Sequence, residues 1–201
     1  MTSVLIDPAD VFLVKEAFWP SVTFYDKQVE VIESSFLNDE TYVTAGNELG
    51  KDFVAGFIPL AAFLICEAKG LTCRIVTTSV AEHHLKVLWG EIGRFVTTAK
   101  VSLLAKDGGP LVMNYQEVRR VAEAEAKNPL NYLVGRVSAK GEGLAGHHAD
   151  FTMVIGDEAS GLDDSVYKMA QGWAKRMLWI GNPNDCRNFW RKGVKAGDLA
   201  A

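Results

Sequence analysis

The chain has 201 residues, 48% hydrophobic and 23% charged, with 10 Phe and 5 Trp, the composition of one globular domain with a full core rather than a disordered segment. A net charge of −4 argues against a protein that simply coats nucleic acid. No apolar run approaches the ~18 residues that span a bilayer, no basic-then-apolar leader opens the chain, and single cysteines at Cys66, Cys73 and Cys186 offer neither a zinc knuckle nor a disulfide framework. A reduced, cytoplasmic compartment fits.

In chain order, residues 1–24 read as an approach segment punctuated by Pro8 and Pro20. Residues 24–36 have helical spacing, with Val29, Ile32 and Phe36 on one side. A first strand at 42–45 leads through a turn to a helix over 51–68, with Gly70 as its C-cap. A strand at 74–78 follows, then a helix capped by Ser79 and running to about 96. Short strands are expected at 101–104 and 111–114 around the turn Asp107-Gly108-Gly109-Pro110, and 116–126 reads as helical. Strands at 132–137, 151–156 and 177–182 and helices at 164–174 and 184–192 complete the chain, with a Gly/His-rich loop at 141–150. Strands alternating with helices predict a parallel sheet in a three-layer α/β fold.

The chemistry concentrates at strand ends. Ala45-Gly46-Asn47-Glu48-Leu49-Gly50-Lys51-Asp52 reads as a phosphate-binding P-loop altered at both ends. The usual pattern is Gly, four residues, then Gly-Lys-Ser/Thr; Ala45 replaces the first Gly and Asp52 the Ser/Thr. What remains is a strand, a tight turn and a lysine opening a helix, which together aim backbone N–H groups and a point charge at a phosphate. Phe151-Thr152-Met153-Val154-Ile155-Gly156-Asp157-Glu158 is a buried parallel strand ending in two acids. Ligands bind at that end of open α/β sheets. Asp157 is a candidate to hold Mg²⁺, and Glu158 to orient and deprotonate an attacking water. Asn182, at the end of the strand over 177–182, is a candidate to touch the γ-phosphate or its water; Asn182-Pro183 also fits a plain turn. The pairs His83-His84 and His147-His148 point their rings to different sides and make poor chelators. The basic residues Arg187, Arg191, Lys192 and Lys195 read as a solvated helix face.

These motifs resemble the ATPase domain of tailed-phage terminase large subunits, the motors that package DNA into a capsid. The resemblance covers about residues 24–190. Phe24-Tyr25-Asp26-Lys27-Gln28, the P-loop, Thr77-Thr78-Ser79 with Trp89-Gly90-Glu91-Ile92, and Gly143-Leu144-Ala145-Gly146-His147-His148-Ala149-Asp150 carry it. So do Ile155-Gly156-Asp157-Glu158-Ala159-Ser160-Gly161 and Ile180-Gly181-Asn182-Pro183-Asn184. The most specific part is the Asp-Glu-Ala segment with its preceding Gly-Leu-x-Gly-His-His loop.

The resemblance implies an α/β P-loop NTPase of the additional-strand (ASCE) type with a mostly parallel central sheet. Residues 1–24 would precede an ATPase domain at 25–201, and the nuclease domain of such motors would lie beyond this chain. The implied cofactors are ATP and Mg²⁺. Gln28 would contact adenine and Tyr25 stack near it. Gly46, Asn47, Glu48, Leu49, Gly50, Lys51 and Asp52 would cradle the phosphates, with Lys51 as the Walker A lysine. Asp157 and Asp52 would face Mg²⁺, Glu158 would be the base, and Asn182 would link hydrolysis to movement.

The implied partners are double-stranded DNA, further copies in a homo-oligomeric ring, the portal protein and the terminase small subunit; no membrane is involved. The implied location is the host cytoplasm, docked on the procapsid. The chain departs from the family at Asp52, a like charge near triphosphate. It departs again in lacking an arginine in the P-loop or in the loop before the acidic strand, where Ala145 stands. Arg119, Arg120 and Arg136 are the alternatives for an arginine finger, given within the chain or across a subunit boundary. Two other readings remain open: a helicase-like P-loop ATPase, and a non-hydrolysing nucleotide-binding assembly module.

Overall fold

A computed structural model describes residues 5–46, 50–137, 148–182 and 186–198. Helices α1 (Pro8–Phe18) and α2 (Asp26–Leu37) precede strand β1 (Glu40–Thr44) and helix α3 (Lys51–Lys69). Then come β2 (Cys73–Ser79), α4 (Glu82–Thr98), β3 (Leu111–Asn114), β4 (Glu117–Arg120) and β5 (Tyr132–Val137). The chain continues through β6 (Phe151–Gly156), α5 (Asp164–Gln171), β7 (Arg176–Gly181) and α6 (Phe189–Asp198).

The strands form one seven-stranded sheet in the order β1-β7-β6-β2-β5-β4-β3. β1, β7, β6, β2 and β5 are mutually parallel, while β4 and β3 run antiparallel at one edge. β7 lies between β1, which leads into the Lys51 turn, and β6, which ends at Asp157. This is the additional-strand arrangement, and it makes the fold a mostly parallel α/β sheet of the P-loop class.

Alternation along each strand builds the three layers. Ile75, Leu133, Met153, Ile155, Leu178 and Ile180 face the layer holding α1 to α4. Their neighbours Val76, Val134, Val154, Met177 and Trp179 face α5, α6 and the short turn after β6. α3 lies at the centre of the first layer: every residue from Val54 to Cys66 is buried. Trp19 packs edge-on against Phe57 of α3 and Phe95 of α4.

Several local expectations are corrected. Residues 8–18 form a capped helix, with Asp7 accepting from Ala9 N at 2.8 Å and Pro8 in the first turn. Val11 and the following Trp19 belong to the core. Ser79 is no helix cap: it ends β2, its Oγ donating to Asp157 O at 3.2 Å, and α4 begins at Glu82 after Ala81. Residues 116–126 are not a helix. A tight turn through Tyr115, with φ of 43°, pairs β3 with β4, and burying Val118 in that pairing overrides helical propensity. Residues 101–104 make only an isolated bridge, Leu104 to Leu111. α6 begins at Phe189 rather than 184, because the Asp164 carboxylate accepts from Phe189 N at 2.6 Å; Asn184 lies outside the described residues.

Candidate functional site

The C-terminal ends of β1, β7 and β6 meet the N-terminus of α3. Gly50 sets that meeting, with φ of 70° and ψ of 23°, a left-handed conformation that costs glycine little. A Cβ there would also stand 2.8 Å from Gln28 Nε2. The chain therefore turns sharply, and Lys51 becomes the first residue of α3.

Lys51 aims its ammonium back at the acids ending β6. Its Nζ lies 2.6 Å from Glu158 Oε1 and 3.8 Å from Asp157 Oδ1, with its side chain only 7% exposed. Burial alone would lower its pKa, but the Glu158 hydrogen bond and the charges of Asp157, Glu158 and Asp52 raise it. Asn182 Nδ2 donates to Glu158 Oε2 at 3.3 Å. Glu158 itself is held in the left-handed region at φ 53°, ψ 42°, strain that persists only where the surroundings enforce it.

Asp157 is buried, and its Oδ1 has no hydrogen-bond partner. Desolvation pushes its pKa up to about 6, with Lys51 opposing and Asp52 and Glu158 adding to the rise. Asp52, half-buried in the first turn of α3, is also raised, first by desolvation and further by Glu158, against Lys51 and His84. The site is short of positive charge: one lysine serves three carboxylates.

Beside Gly50 opens a cavity of about 400 Å³ between α2, β1 and α3. Tyr25, Gln28, Val31, Ser34, Gly50 and Lys51 are among its lining residues. Gln28 is buried, and its Oε1 accepts from Tyr25 N at 3.3 Å, which fixes the side chain at the start of α2. Tyr25 is 51% exposed at the rim.

The structure thus brings together Tyr25, Gln28, Gly50 and Lys51 around the cavity, and Lys51, Asp52, Asp157, Glu158 and Asn182 around one ammonium. Gly46 is described and half-buried. Asn47, Glu48, Leu49 and His147 lie outside the described residues. Arg119 pairs with Glu117 at 2.9 Å and bonds the Ala124 and Ala126 carbonyls, while Arg120 pairs with Glu67 and bonds Leu71 O. Both are engaged away from Lys51. Arg136 stands exposed near the C-terminal end of β5, on the same sheet edge as the acids. The His83 and His84 rings lie tilted by 40° with centroids 4.0 Å apart, and among the described residues no group of three His, Cys, Asp or Glu side chains gathers to hold a metal.

Two features had no reading in the sequence. Ser34 Oγ and Thr41 Oγ1, 2.9 Å apart, line the cavity, though lone hydroxyls carry no motif. Asn188 Nδ2 reaches the carbonyls of Ala159, Ser160 and Leu162, just after Glu158; the sequence reading had set it inside a helix over 184–192, with no signal of this role.

The sequence matches no protein-family model and no curated protein. Solved structures do match. The Thermus phage P74-26 large terminase ATPase domain is 20% identical with a TM-score of 0.60, and covers 93% of this chain and 74% of its own. A variant of that domain scores 0.61 at the same identity and coverage. The HK97 bacteriophage large terminase scores 0.64 at 15% identity, covering 95% of this chain, which spans only 42% of that protein. Identity this low speaks to fold alone: the chain has the fold of the ATPase domain of phage large terminases.

Proposed function

We propose that this chain is the ATP-hydrolysing motor domain, residues 25–201, of a terminase-type DNA-packaging machine. It would couple hydrolysis to movement of double-stranded DNA into a procapsid. The observation that carries the reading is Lys51: an ammonium at the N-terminus of a buried helix, opening on a 400 Å³ cavity and held 2.6 Å from a strand-end carboxylate. The additional strand β7, which brings Asn182 to that carboxylate, supports it further.

The cavity would take the adenine, with Gln28 reading its edge and Tyr25 covering it. The phosphates would lie over the turn at residues 46–52, where the helix N-terminus and Lys51 balance their charge. Lys51 would exchange its Glu158 partner for phosphate oxygens, leaving Glu158 free. Glu158, steadied by Asn182, would take a proton from water as its oxygen attacks the γ-phosphorus and the bond to ADP breaks.

Asp157 suits a divalent cation. Its buried Oδ1 accepts no hydrogen bond, with the Lys51 ammonium 3.8 Å away, and Asp52 adds a second carboxylate. Mg²⁺ is held by one or two carboxylates together with substrate phosphates. When bound, Mg²⁺ would supply charge neutralisation on the phosphates. Arg136 is our choice of the three arginines for a contribution to a neighbouring copy's phosphate. The proposed partners are duplex DNA, a ring of further copies, a portal protein and a small subunit, in the host cytoplasm.

Two measurements test this. Titration calorimetry with ATP and Mg²⁺ should show binding to the native chain and none to Lys51→Ala. Undiminished binding by the variant would remove Lys51 from the site. Duplex DNA should raise turnover without strand separation, whereas unwinding would move the chain to the helicase-like reading.

A further inference from the structure

Glu158, two residues beyond β6, has a strained left-handed conformation, and the chain then makes a single 3-10 turn, Ala159–Gly161. Something must hold that turn, because a glutamate left to itself would relax out of this region. Gly161 N donates to Glu158 O at 2.9 Å, which closes the turn from within. Leu162 N also donates to Ala159 O at 3.2 Å, and further restraint comes from the residues around the start of α6.

Asn188 is the source. Its Nδ2 donates to Leu162 O at 2.7 Å, Ala159 O at 2.9 Å and Ser160 O at 3.1 Å. Three carbonyls around one amide nitrogen fix the orientation of the group, since a flipped amide would set oxygen against oxygen. An Asn before a helix normally caps it with its own side-chain oxygen. Here Asp164 accepts from Phe189 N at 2.6 Å instead, which releases Asn188 to face the turn. Behind the turn, a Cβ on Gly181 would stand 3.1 Å from both Ser160 N and the Trp190 ring. The turn is therefore wedged between the end of β7 and the first turn of α6.

We infer that Asn188 is a positioning residue: it holds the turn after β6 so that Glu158 keeps its left-handed backbone and presents its carboxylate to Lys51 and Asn182. The inference rests on the reading of Glu158 as the base. Asn182 and Asn188 flank one short connection and grip Glu158 from two sides, one at its carboxylate and one through the turn that follows it.

The experiment measures steady-state ATP turnover by the full chain and its Asn188→Ala variant. With Asn188→Ala, kcat should fall by about tenfold or more while KM for ATP stays within about twofold, the pattern of an interaction that acts in the transition state. In the Glu158→Gln background, adding Asn188→Ala should change the residual rate by less than about twofold, because residues that act as a unit are not additive. Asp164→Ala loosens the same anchorage from α5 and should also lower kcat at constant KM, a second route if Asn188→Ala does not fold. Unchanged kcat in both single variants would overturn the inference. So would an equal loss of rate with or without the Glu158 carboxylate. Absence of turnover in the native chain would sink the ATPase reading itself, and the inference with it. Turnover by the native chain with indifference to Asn188 would sink the inference alone.

Discussion

At the scale of single residues, the site is a contest over one positive charge. Lys51 lies against Glu158 at 2.6 Å and near Asp157 at 3.8 Å, while Asp52 adds a third carboxylate in the same turn of helix. Desolvation raises both Asp52 and Asp157, so ionising them here costs more than it would in water. A triphosphate arriving at this turn would bring more negative charge, which Asp52 would oppose. Replacing Asp52 with Asn should therefore tighten ATP binding by roughly two- to fivefold, the effect of removing one partly screened like charge. Calorimetry without Mg²⁺, where Asp52 holds no cation, reads this directly, and weaker binding would instead show the carboxylate aiding nucleotide capture. The strand-end acids and the lysine were legible in the sequence because each motif has a fixed spacing on one chain segment. Asn188 and the Ser34–Thr41 hydroxyl pair were not, because their meaning lies in which distant backbone or side chain they meet.

Secondary-structure elements explain why those residues meet. β6 ends where Gly156 lets Trp179 of β7 close over it: a Cβ at Gly156 would fall 2.4 Å from the Trp179 ring. Gly156→Ala should therefore force the two strands apart, lowering stability by about 1–3 kcal/mol. Thermal unfolding of the variant beside the native chain tests this, and an unchanged midpoint would show that the ring yields freely. The same scale separates what periodicity could tell from what it could not. β6 and β7 carry near-continuous apolar runs buried on both faces, and β2 centres on Ile75-Val76, so their existence was readable. Residues 116–126 carry helix-favouring charges and alanines, yet Val118 is buried and β4 pairs on both sides. Tertiary pairing decided that segment, and no window of neighbouring residues contains it. α1 was missed for the opposite reason. Asp7 and Pro8 are an ordinary helix start and Val11, Val14 and Phe18 recur at helical spacing, but Phe12 and Leu13 blur that stripe, and only Val11 within the helix is fully buried.

For the whole molecule, one arrangement accounts for the rest: a parallel sheet with β7 inserted between β1 and β6. That insertion sets Lys51 on one side of the gap, Asp157 and Glu158 on the other, and Asn182 at the strand between. The edge hairpin of β3 and β4 lies at the far side of the sheet and takes no part. A site assembled across three strands and a helix N-terminus has its function only when the sheet is intact, so binding and hydrolysis should be separable by side-chain changes alone. The most direct test is phosphate release from ATP with Mg²⁺ by the native chain and by Glu158→Gln, with nucleotide binding measured on the same samples. The account predicts equal binding and a rate lower in the variant by about 10²–10⁴-fold, the span of a lost general base. Equal phosphate release by the two proteins, with binding intact, would contradict it.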